Sequence, residues 1–144
     1  MTHKESGHFA AKHPAQTKVD QRITQAVTKL LEKGSITCIK AHEIAQTLQA
    51  EPKQVGIAID LQEGRIIKCQ LGLFGYDKGQ KKVKPADVVD PEVRIDIEKA
   101  MAGGRLPCLN AWQIAEKHGL PRLALANACE SLGIKIKPCQ LGAF

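Results

Sequence analysis

Apolar residues recur at helical spacing twice along the chain, first as Ile23, Val27, Leu30 and Leu31, then as Val93, Ile97, Ala100 and Met101. Asp20 and Asp90 stand just ahead of the two stripes, where a carboxylate accepts the free N–H groups of a first helical turn. Pro91 then takes the first helical position, where a missing N–H does no harm. Gly34 and the Gly103-Gly104 pair end these helices. Short apolar stretches at 36–39 and 106–109 follow as expected strands. A second helix is expected from near Lys40 and from near Asn110, and a third from near Pro52 and from near Pro121. Residues 65–70 and 134–140 come next, and in Ile134, Lys135, Ile136 and Lys137 apolar and basic side chains alternate, giving one buried and one wet strand face.

The two sets of elements are one pattern repeated. A shift of 70 residues superimposes 24–74 on 94–144 without a gap, with 13 of 51 positions identical. Among the matches are Cys38 with Cys108, Ala41 with Ala111, Ile44-Ala45 with Ile114-Ala115, and the run 69–72 with 139–142. The expected organisation is a disordered tail at 1–18, a first module at 19–74, a basic linker or vestigial wing at 75–89, and a second module at 90–144. A module of some 55 residues is marginal alone and needs its twin or a dimer partner to bury enough surface.

Composition narrows the class. The chain has 144 residues, is 43% hydrophobic and 25% charged, and has only 3% aromatics, so its core is aliphatic. No apolar run is long enough to cross a bilayer and no signal-peptide core opens the chain, which makes a cytoplasmic protein the expectation. The net charge of +6 favours a polyanionic partner. Five widely spaced cysteines do not form the framework of a small secreted domain.

Between 41 and 60, and again between 111 and 130, a small residue, a tight turn and an apolar second helix follow one another at the spacing that two steeply crossing helices require. Ala45 and Ala115 are the close contacts, and Gly119 suits a turn with positive φ better than Gln49 does. Here the chain resembles the winged helix-turn-helix superfamily of prokaryotic regulators, over both modules. The segments RIIKCQLGLFG (65–75) and KIKPCQLGAF (135–144) are also similar to those of small proteins of anaerobic bacteria and archaea, some of them relatives of molybdate-responsive regulators. The resemblance implies a mainly α fold with short strands, two tandem winged-helix-like modules, and duplex DNA held by each third helix in the major groove.

The residues themselves give a more reserved picture of that face. On the first third helix it would present Glu51, Pro52, Lys53, Gly56, Ile57 and Asp60, and on the second Pro121, Arg122, Leu123, Ala126, Asn127 and Glu130. Only Lys53, Arg122 and Asn127, with Gln54 nearby, are suited to reading bases, and Asp60, Glu63 and Glu130 would repel phosphate. Better phosphate-binding candidates are Lys78, Lys81, Lys82 and Lys84 in the linker, with Lys135 and Lys137 on the last strand; a solvated lysine-rich linker is the plainer reading. Ile57 and Leu123, expected to be exposed, fit a protein partner or a homodimer at least as well as DNA.

Cys38, Cys69, Cys108 and Cys139 repeat between the modules and read as buried thiols, a redox-sensitive pair, or a metal site. His42 follows Cys38 at helical spacing, but the second module has Trp112 there, against a duplicated metal site. Cys129 and His118 read as packing residues, and His3, His8 and His13 as part of a solvated tail. No nucleophile elbow, phosphate loop or zinc motif is present. A binding protein without cofactor or metal, rather than an enzyme, is expected.

Overall fold

The computed structural model describes residues 9–144. It is mainly helical. Among the described residues the chain forms α1 (Gln21–Leu30), β1 (Ser35–Thr37), α2 (Cys38–Thr47), α3 (Pro52–Leu61), β2 (Arg65–Ile67), α4 (Pro91–Ala100), α5 (Cys108–Lys117) and α6 (Arg122–Ser131), with 3-10 turns at Phe9–Lys12 and Asp77–Gly79. Helix starts recur at a constant offset of 70 residues, Gln21 with Pro91, Cys38 with Cys108, and Pro52 with Arg122. None of these helices is long and apolar enough to cross a membrane.

The helix starts follow from local chemistry. Asp20 accepts the Arg22 N–H and Asp90 the Glu92 N–H, both at 2.8 Å. The Arg22 guanidinium, 2.9 Å away, also holds the Asp20 carboxyl below its ordinary range. Thr37 caps α2 through Lys40 N–H. Helices α2 and α5 begin at Cys38 and Cys108, so the strand stretches expected at 36–39 and 106–109 are shorter. β1 pairs with β2 in parallel, Ile36 opposite Ile66; in the second half a single bridge joins Leu106 to Ile136.

Three turns are set by backbone geometry. Lys33, Gln49 and Glu63 have φ of 51°, 51° and 54°, while the equivalent positions hold Gly103, Gly119 and Gly133 at 59°, 65° and 70°. A side chain in this left-handed region costs about 1–2 kcal/mol, so the second half makes the same turns with less strain.

The chain divides into two compact units. The first extends through Lys68 and includes Leu141–Ala143; the second comprises Cys69–Gln140 and Phe144. Compactness and sequence repetition therefore place their borders differently, since residues 69–74 fold with the second unit and 141–143 with the first.

In the first unit α1 and α2 pack on α3 around Val27, Ile36, Ala41, Val55 and Ile59, all at most 2% exposed. Ala45 is buried on α2, which packs on α3. Gly56 admits the C-terminal segment: a Cβ there would lie 1.7 Å from the Leu141 carbonyl oxygen. The second unit is built around Ile97, Leu106, Ala111, Leu125 and Cys129, with Leu71 and Val83 inserted from the segment that precedes α4. Ala115 is 1% exposed at the α5–α6 contact.

Two stability changes follow. Gln49→Gly is expected to raise the unfolding free energy by about 0.5–1 kcal/mol, because it relieves left-handed strain at the cost of a freer unfolded chain. Gly56→Ala is expected to lower it by about 1–3 kcal/mol or more through overpacking against Leu141. Urea denaturation of the two variants against the parent chain measures both.

Candidate nucleic-acid interface

The expected mobile tail does not hold from Phe9 onward. Phe9–Lys12 forms a 3-10 turn packed on α3, and Phe9 is 6% exposed. The Glu63 carboxylate accepts the N–H groups of Phe9 at 2.7 Å and Ala10 at 3.0 Å. Asp60, buried, accepts from His13 Nε2 at 2.8 Å and lies 3.1 Å from Lys12 Nζ, which also donates to the Gly142 carbonyl at 3.2 Å. His3 and His8 lie outside the described residues.

This arm changes the first expected reading face. Gly56 and Asp60 are buried beneath Leu141 and the arm, and Ile57 is only half-exposed. Asp60 and Glu63, which would repel a phosphate, already have partners, whereas Glu130 on α6 is exposed. Of the base-reading candidates on α3, Lys53 is exposed in the first turn and Gln54 half-buried.

The second expected reading face is covered as well. Arg122 stacks 3.6 Å over the Trp112 ring and donates to Gln70 Oε1 at 3.1 Å. Asn127 accepts the Lys84 N–H at 2.9 Å through its side chain, and the Ala86 N–H at 3.1 Å through its carbonyl. Leu123 lies so close to Gly72 that a Cβ on that glycine would sit 2.6 Å from the Leu123 Cδ1. Both candidates on α6, Arg122 and Asn127, are thus engaged within the second unit, and Leu123 is not an exposed anchor. The signal for this was the pairing of apolar Leu71 and Val83 with a lysine-rich stretch, which distinguishes a docked strap from a solvated linker.

That docking aims the lysines outward. Lys82 and Val83 N–H groups both bond the Gly72 carbonyl, at 2.8 and 3.2 Å, and Val83 is buried between exposed Lys82 and Lys84. Lys82 Nζ sits 4.8 Å from the centre of the Tyr76 ring, and the Tyr76 hydroxyl donates to the Cys69 carbonyl. Lys78 and Lys81 are exposed beside them. Lys135 and Lys137 flank buried Ile136, their backbones held by Leu106. Among the described residues, none of these six lysines has a carboxylate within ion-pair distance.

Other expected groups have structural settings. None of the five cysteines is in a disulfide. Burial pushes Cys129 up to about 11, and pushes Cys108 up to about 11 against the opposing hydrogen bond from Gln140. His118 is half-buried and bonds Asp96 at 2.7 Å beside Lys117 at 2.9 Å, in a shallow hollow also lined by Glu92 and Ile95. Among the described residues no three His, Cys, Asp or Glu side chains form a metal-ligand set. Comparison of the chain with protein-family models, curated proteins and solved structures finds no match.

Two measurements probe this arrangement. Phe9→Ala is expected to release the arm, so that the Ala10 amide loses hydrogen-exchange protection while the amides of α5 keep theirs; unchanged protection at Ala10 would refute the docking. Lys117 first, then His118, holds the Asp96 carboxyl below its ordinary 3.8. A depressed carboxylate stabilises the fold above its unfolded pKa and loses that contribution as pH falls through the folded value. Asp96→Asn should therefore be less stable than the parent at about pH 7 and closer to it at about pH 3, as read by urea midpoints.

Proposed function

We propose that the protein is a cytoplasmic, transcription-associated DNA-binding protein. In this reading it consists of two tandem winged-helix-like modules related by internal duplication, and it holds duplex DNA through backbone charge with weak sequence specificity. The observation that carries the reading is the set Lys78, Lys81, Lys82, Lys84, Lys135 and Lys137, all exposed and without ion-pair partners among the described residues. Phosphate contact needs outward positive charge and no base-reading side chain. The engagement of Arg122 and Asn127 supports weak specificity, because bidentate contact with base edges needs such side chains free. The recurrence of helix starts at one offset supports the duplication. Binding rather than catalysis is proposed throughout.

The test is titration of fluorescent duplexes of unrelated sequence at two salt concentrations. Affinity should fall steeply with salt and vary little with sequence. Replacing Lys81, Lys82 and Lys84 by Ala should weaken all duplexes alike and flatten the salt slope by up to about 0.9 for each phosphate no longer neutralised. Absence of binding at low salt would defeat the proposal.

A second reading is a protein-interaction or dimerisation module on the same scaffold. It is favoured by Ile39 and Leu109, equivalent second residues of α2 and α5 that are 36% and 51% exposed. Sedimentation showing a monomer at every concentration would remove its self-association form.

A further inference from the structure

The last strand stretch slips by one residue against the start of α5, and the slip brings two cysteines beside one another. In a parallel ladder a residue donates to the carbonyl just before its partner and accepts from the N–H just after it. Leu106 follows this rule, donating to Lys135 at 2.9 Å and accepting from Lys137 at 2.8 Å, so it lies opposite Ile136. Two residues on, an unbroken register would set Cys108 opposite Pro138. Instead the Cys108 N–H donates to the Pro138 carbonyl at 3.0 Å, which fastens the backbone just ahead of Cys139 to Cys108. From the other side of Cys139, Gln140 Nε2 donates to the Cys108 sulfur at 3.3 Å. Cys139 is thus bracketed by two residues that both touch Cys108. A disulfide needs its Cα atoms about 4.4–6.8 Å apart, and the two contacts, one to the Cys108 backbone and one to its sulfur, hold Cys139 beside its partner.

We propose that Cys108 and Cys139 are a disulfide-forming pair that responds to peroxide. Cys139 is the half-exposed thiol of the two and reacts first; Cys108 is buried and completes the bond. The Cys139 thiol gives its proton to solvent, the thiolate attacks one peroxide oxygen, the O–O bond breaks, and a sulfenic acid and hydroxide result; the hydroxide takes up the released proton as the first water. The Cys108 sulfur then attacks the sulfenic sulfur, the S–S bond forms, the S–O bond breaks, and the departing hydroxide takes the Cys108 proton as a second water. In sum, two thiols and one hydrogen peroxide give one disulfide and two waters. Cys69 is close enough for the Cys139 charge to bear on it and for its own to bear on Cys108, but no hydrogen bond fastens it to either partner as Pro138 and Gln140 are fastened to Cys108. The bond would fasten the strand that carries Lys135 and Lys137 to the first residue of α5. The pair stands on its own geometry and does not depend on the DNA-binding reading.

The experiment treats the full chain with dilute hydrogen peroxide, blocks remaining thiols with iodoacetamide under denaturing conditions, and maps the linked peptides by mass. The expected product joins the Cys108 and Cys139 peptides, and Cys69→Ser leaves its yield unchanged. Cys139→Ser should abolish intramolecular linkage at Cys108. Cys108→Ala keeps the buried site apolar, and circular dichroism checks its fold. It should leave Cys139 as a sulfenic acid that a dimedone probe captures. A dominant Cys69–Cys139 link, sulfinic acid on Cys139 without any bridge in the parent chain, or five thiols still fully alkylated would each overturn the proposal.

Discussion

The third helix of each half, α3 and α6, depends on cover from chain that lies outside its own group of three helices. Helices of ten residues in modules of this size cannot bury both sides of α3 or α6 by themselves. On α3 the missing surface comes from Phe9, anchored by Asp60 and Glu63, and from Leu141, which lies against the bare backbone at Gly56. On α6 it comes from Leu71, Gly72 and Val83. The remaining elements are arranged to support these two seats. Small Ala45 and Ala115 are buried on the second helices, which pack on the third, and left-handed turns at Gln49 and Gly119 connect the two.

This cover also decides which charges remain available. Asp60 and Glu63 would oppose phosphate if bare, yet their oxygens are taken up by Lys12, His13 and two backbone N–H groups. Arg122 and Asn127 would read bases if free, yet one is stacked and the other bonded to a passing strand. Left exposed on the second unit are Lys78, Lys81, Lys82, Lys84, Lys135 and Lys137, without ion-pair partners among the described residues. In nucleic-acid recognition, long-range charge carries affinity and edge-specific hydrogen bonds carry selectivity.

Much of the helical layout was legible because its signals are local. Asp20 and Asp90 act as caps as expected, Ala45 and Ala115 are interior, Cys129 is in the core, and Gln49 is the strained counterpart of Gly119. Periodicity misjudged α2 and α5 by two residues, since Cys38 and Cys108 are as apolar as the strand residues before them. The cover was not legible, because nothing in a tail of mixed polarity says that Phe9 finds a seat on a helix some fifty residues away. Glu63 illustrates the limit. Its partner by repetition is Gly133, so backbone comfort alone would favour glycine; its carboxylate is retained in a strained place where it holds the arm.

The membership of Leu141–Ala143 in the first unit bears on how the chain is made. Domains usually close in the order of their synthesis, the earlier one folding while the later is still being translated. Here the surface of α3 at Gly56 stays open to water until residues 141–143 have been polymerised and have cleared the ribosome. Closure of the first unit therefore waits on residues made long after Lys68, and a nascent chain stalled between the two units would carry an unsealed helix.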